Sequence, residues 1–133
     1  MSAVMDLQKA VVAHLSADPA LAELMGVYDG PPPRAAFPYA VLGDGLVTDW
    51  STKTEAGREV RFAVTLWDDG EVPARLHRLT DAVEAAMATL PRTLADGRII
   101  SLIFLRTLIA RDPAGPWGGL VEHRIRILQN QEI

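Results

Sequence analysis

The chain has 133 residues, about half of them apolar and 23% charged, with a formal net charge of −4 and no cysteine. Length and composition fit one domain over residues 1–133 with an apolar core of its own. Without cysteine there are no disulfides, thiolate metal sites or cysteine nucleophiles, and an acidic chain lacking a Lys/Arg cluster is not a dedicated nucleic-acid binder. The first ten residues hold Asp6 and no long apolar run, so no signal peptide is expected. The longest apolar stretch contains Arg106 and falls short of the about 20 residues a membrane span requires. Cytoplasm is the default compartment and no membrane partner is expected.

Val4, Leu7, Val11 and Leu15 recur at helical spacing and predict a first helix over residues 3–17, with Ser2 as its N-cap. Asp18 and Pro19 predict a short helical turn that ends near Gly26. Consecutive prolines at Pro31, Pro32 and Pro33 make residues 28–37 a loop. A first strand is expected at residues 39–42, running loosely past the glycines towards Val47, followed by a polar loop over residues 48–58. Residues 59–67 alternate cleanly, with Val60, Phe62, Val64 and Leu66 inward and Arg61, Ala63, Thr65 and Trp67 outward.

Acids and a proline between residues 68 and 73 open a second helix with an inward stripe of Leu76, Leu79, Val83, Met87 and Leu90, and Pro91 ends it. A turn at Asp96-Gly97 leads into residues 99–110, IISLIFLRTLIA. Strict alternation puts Ile99, Ser101, Ile103, Leu105, Thr107 and Ile109 on one face, and Ile100, Leu102, Phe104, Arg106, Leu108 and Ala110 on the other. Both faces are mostly apolar, which predicts a strand covered on two sides. Two helices cover one side; a partner subunit is expected on the other, against Ile100, Leu102, Phe104, Arg106 and the arginines Arg124 and Arg126 of the next strand. A loop over residues 112–119 precedes a last strand at 120–129. The order α-β-β-α-β-β predicts an α+β fold, mainly an antiparallel sheet with two helices on one face.

No chemistry stands out. His14 and His77 lie on helices without metal-site spacing, save His77 with Asp81, which reads as a surface hydrogen bond; His123 reads as a half-buried sheet residue. Asp68, Asp69 and Glu71 suit a helix N-terminus better than a cation loop. Ser51, Thr52 and Ser101 lack a nucleophile motif, and the glycines of GPWGG suit a turn. No catalytic residue, metal ligand or cofactor is expected. Trp50 and Trp117 fall in the two polar loops, where each either folds over the core edge or anchors a subunit contact. Glu59 and Glu122 suit cross-strand pairs with Arg61, Arg124 and Arg126.

Three stretches carry a resemblance: PPPRAAFPYAVLGD at residues 31–44, REVRFAVTLWDDGEVPARLHRL at 58–79, and residues 99–128 with the GPWGG turn and arginine-rich last strand. In their order and in overall length the chain resembles the small tail terminator (tail completion) proteins of long-tailed phages, and most of all those of the gene transfer agents of alphaproteobacteria. The resemblance implies a structural subunit, not an enzyme, that forms a hexameric ring on the head-proximal end of the tail tube. Such a ring ends tube polymerisation and joins the tail to the neck of the head, with tail tube and neck (stopper) proteins as partners. DNA passes through its opening without specific binding. The subunit assembles in the cytoplasm and leaves in the released particle. By the same analogy the loop at 48–58, with Trp50, Lys53 and Arg58, and the loop bearing Trp117 contact the tube or a neighbouring subunit. Three rivals differ in kind: another neck component such as a stopper or adaptor, an isologous homodimer, and a small-ligand domain whose pocket is lined by His77, Asp81, Asp68 and Asp69.

Overall fold

The computed structural model describes residues 2–43 and 45–131. In chain order these form helix α1 (Ser2–Ala17), a 3₁₀ turn (Pro19–Leu21), strands β1 (Val27–Asp29), β2 (Tyr39–Leu42), β3 (Leu46–Asp49) and β4 (Gly57–Asp68), helix α2 (Ala74–Ala88), and strands β5 (Gly97–Arg111) and β6 (Trp117–Gln129). The fold is α+β. One six-stranded sheet runs β1-β2-β4-β6-β5, and β3 pairs with β4 in line with β2. Among the described residues only β1 and β2 pair in parallel.

Both helices lie on one face. α1 buries Leu7, Val11 and Leu15, together with Ala3 rather than Val4. α2 buries Leu76, Leu79, Val83 and Met87, with Leu90 just beyond its end, against Val60, Phe62, Val64 and Leu66 of β4 and Val121, Ile125 and Ile127 of β6. These are the stripes that periodicity predicts, because one helical face and one strand face are what water excludes. His14 ties the helices together: its Nε2 lies 2.9 Å from the Ala86 carbonyl and 3.0 Å from Thr89 Oγ1. Asp18 caps the 3₁₀ turn by accepting the Ala20 N–H at 2.9 Å.

Several expectations are corrected. Ser2 lies inside α1, and its hydroxyl donates to the Asp96 carboxylate across the fold instead of capping the helix. The loop expected at 28–37 yields its first residues to β1, because parallel pairing of Val27–Asp29 with Ala40–Leu42 satisfies their backbone before the prolines begin. The loose first strand is two strands, β2 and β3; Asp44, at the break between them, lies outside the described residues. The loop at 48–58 shrinks to residues 50–56, since Thr48 and Asp49 pair with Glu59 and Arg58. Trp117 opens β6 opposite Asp68 and Arg111 rather than sitting in a loop.

The largest correction concerns β5. Among the named strands it pairs with β6 alone, so it stands at the edge of the sheet. Bulges between Ile99 and Ser101 and between Phe104 and Arg106 break strict alternation. Register therefore places Leu102 and Phe104 opposite Ile125 and His123 on the helix side, and Ser101, Ile103 and Arg106 opposite Arg126, Arg124 and Glu122 on the other. The single face proposed for Ile100, Leu102, Phe104, Arg106, Arg124 and Arg126 is thus split, with Ile100 at the first bulge. A bulge adds one residue and flips every side chain beyond it, which apolar content on both faces does not reveal.

Candidate functional site

The helix-free face of the sheet divides along its strands into an apolar half and a charged half. In the apolar half, Tyr39 and Val41 of β2 stand opposite Trp67 and Thr65 of β4, which in turn oppose Gly118 and Leu120 of β6, with Leu108 and Ala110 of β5 beyond. Two open grooves meet at Trp67. One, of about 380 Å³, is lined by Thr65, Trp67, Leu108, Ala110, Pro116 and Leu120. The other, of about 320 Å³, runs along Pro31, Pro32, Tyr39 and Val41. Gly118 makes room for the Trp67 indole, since a Cβ there would lie 2.9 Å from the ring. Tyr39 packs edge-on against Tyr28 at 6.1 Å between ring centroids, and Phe37 lies 5.5 Å from Tyr39. The outward Trp on a cleanly alternating strand was the available signal for this patch.

In the charged half, four arginines share two glutamates. Arg61 and Arg106 each lie 3.5 Å from Glu122, and Arg126 and Arg124 lie 3.0 and 3.8 Å from Glu59. These are the cross-strand pairs expected of Arg61, Arg124 and Arg126, with Arg106 added by the bulged register. Arg126 also stacks over Trp50 at 5.4 Å, which holds that ring on the sheet face. Lys53 is exposed at the tip of the β3–β4 hairpin, and Arg58 within β4 pairs with Asp49 at 3.2 Å. Trp117 packs against the core with Arg111 over its ring at 5.6 Å. Trp50 and Arg126 therefore share one surface, Trp117 belongs to the core margin, and Leu102 and Phe104 lie on the opposite side of the sheet.

The residues of the small-ligand reading do not converge. Asp68 is 1% exposed and fully engaged, accepting from Arg75 Nε at 2.8 Å, Arg75 Nη2 at 2.5 Å and the Gly70 N–H at 2.9 Å. The bonded guanidinium holds its carboxyl below the ordinary carboxylate range. Asp69, His77 and Asp81 are exposed, and none of them joins a three-residue metal-ligating group among the described residues. His123 is buried rather than half-buried, packs edge-on against Phe104 at 5.7 Å, and leaves Nδ1 without a partner. Burial pushes its pKa down to about 4.

Comparison with known proteins follows from this geometry. Over 96% of its length the chain superposes on 98% of a chain described as "Virion of native gene transfer agent (GTA) particle", with a TM-score of 0.85 and 33% identity. It also shares the fold of the bacteriophage SPP1 gp17 protein, with a TM-score of 0.62 and 22% identity over 100% of this chain and 95% of that one. No curated protein matches it. No helix among the described residues is long and apolar enough to cross a membrane. The family model described as "Tail completion protein gp17" matches residues 9–128, so the chain belongs to the tail completion protein gp17 family, a family of phage structural proteins.

Proposed function

We propose that this protein forms a closed ring, six subunits in number, on the head-proximal end of a phage-like tail tube. The ring ends tube polymerisation there and docks the neck of the filled head. The observation that carries the reading is the likeness at 33% identity to a chain of a gene transfer agent particle, over nearly the full length of both chains. The helix-free face supports it: a sheet with Tyr39, Trp67, Leu108 and Leu120 on its uncovered side offers apolar area to a protein partner. The work is done by surfaces. A heterologous contact repeated around a closed rotation makes the ring, and a ring that matches the tube on one side only stops further addition. Tube and neck proteins are its partners, DNA crosses the opening without specific contacts, and no cofactor takes part. The subunit assembles in the cytoplasm and departs with the particle.

Deletion of the gene in the producing strain, followed by negative-stain electron microscopy, tests the reading. Filled heads detached from tubes of uncontrolled length are expected. Normal, fully joined particles would overturn it.

A further inference from the structure

On the helix-free face one row crosses four strands: Leu46 of β3 is level with Arg61 of β4, Arg61 with Arg124 of β6, and Arg124 with Ile103 of β5. Two arginines therefore stand directly opposite each other, an arrangement that costs stability. Glu59 and Glu122 offset it from the neighbouring rows, but incompletely. Only Arg126 reaches its glutamate at 3.0 Å; Arg61 and Arg106 stop at 3.5 Å and Arg124 at 3.8 Å, long for a charged hydrogen bond. Arg124 Nε is buried with no hydrogen-bond partner among the described residues. Four guanidinium groups against two carboxylates leave this half of the face net positive, on a chain whose formal charge is −4.

The row is flanked by exposed apolar side chains, Leu46 at 60% and Ile103 at 40%. A phosphate backbone makes no use of such flanks. The complement of an apolar–Arg–Arg–apolar row is a protein segment with two carboxylates beside an apolar side chain. The chain carries such a segment between β4 and α2, Asp69-Gly70-Glu71-Val72. Val72 is 65% exposed, the highest value among the described large apolar residues that stand exposed. Glu71 is exposed and joins no ion pair among the described residues, while the exposed Asp69 only nears Arg75, at 3.5 Å. This segment cannot reach the row of its own subunit, since Asp69 lies beyond the far end of β4, roughly 25 Å from Arg61 at the rise of an extended strand. Two complementary sites kept apart on one subunit suit a heterologous contact.

We infer that Asp69, Glu71 and Val72 of one copy dock on the row Leu46, Arg61, Arg124 and Ile103 of the next. The two carboxylates take the two opposed guanidinium groups, and Val72 covers one of the apolar flanks. The inference rests on the ring reading and names the contact that closes the ring. The chain has no cysteine, so Val72→Cys combined with Ile103→Cys, or with Leu46→Cys, places thiols only at this contact. Each pair is expressed in the producing strain, and purified particles are treated with a short bismaleimide.

A ladder of linked multimers on denaturing gels is expected from at least one pair and from none of the single variants. Asp69→Arg with Glu71→Arg in the linking background should lower the yield per copy several-fold, and Arg61→Glu with Arg124→Glu added to them should restore it. Linkage indifferent to that reversal would overturn the charge pairing. The number of copies per particle, from quantitative mass spectrometry, separates the two failures. Several copies without linkage from either pair would overturn the contact and leave the ring standing. A single copy per particle would overturn both. A labelled DNA duplex retained by the purified parent and released by Arg61→Gln with Arg124→Gln, with no linkage in particles, would give the row to phosphates and overturn the contact.

Discussion

Asp68 and His123 are two buried titratable groups, and each makes the fold less stable as the pH falls, in a different window. Asp68, engaged by Arg75 and Gly70, has a folded pKa below its ordinary value of 3.8. Its contribution is present above that value and is lost as pH falls through the depressed one, in acid below about pH 4. Asp68→Ala should cost about 2 kcal/mol at pH 7 in urea unfolding, because the Gly70 N–H and the Arg75 fork lose their acceptor together. His123 is held neutral, with a folded pKa of about 4 against an ordinary 6.5. The unfolded chain therefore binds the proton first, and stability declines as pH falls from 6.5 towards about 4. The shift corresponds to about 3 kcal/mol across that window. His123→Leu should flatten the decline between pH 6.5 and 4, and an unchanged slope in that variant would refute the assignment.

Strand and helix approach closely at Gly119 of β6, where a Cβ would lie 2.7 Å from Thr80 Cγ2 and 3.1 Å from Leu76 Cδ1. Gly119→Ala should force α2 away from the sheet and cost about 1–3 kcal/mol, measured by denaturant midpoint. Leu79→Ala in the stripe of α2, where the side chain is fully buried, should cost about 2–5 kcal/mol. The stripe was legible in the sequence because helical period and burial coincide there. The approach at Gly119 was not, since a glycine in GPWGG reads equally as a turn until β6 is seen to start at Trp117.

At the level of the intact subunit, the apolar half of the helix-free face is unpartnered and Ala110 is exposed on its margin. Ala110→Lys should leave unfolding stability within about 0.5 kcal/mol of the parent. Particles carrying it are nevertheless expected to show detached heads and tails, since a buried unpaired ammonium opposes a protein contact. Normal particles from this variant would remove the groove beside Trp67 from the contact surface. Trp117→Ala does not discriminate in this way, because Trp117 packs against the core and its loss acts through folding.

Helix stripes, the inward face of β4 and the α+β order follow from local periodicity, because each depends on one element presenting one face to a common apolar layer. The cross-strand pairing of Glu59 and Glu122 with the arginines was also legible, since charge alternates on strands whose other face is apolar. Which strand stands at the edge was not. The run at 99–110 is equally apolar whether a strand or water lies beside it, and only strand order puts β5 outside β6. The faces of Phe104 and Arg106 were likewise decided by two bulges, which are set by pairing to β6 and leave no periodic trace in the chain. The splitting of β2 from β3 has the same origin: both pair along one side of β4, and that non-local ladder determines where a loosely β-prone segment breaks.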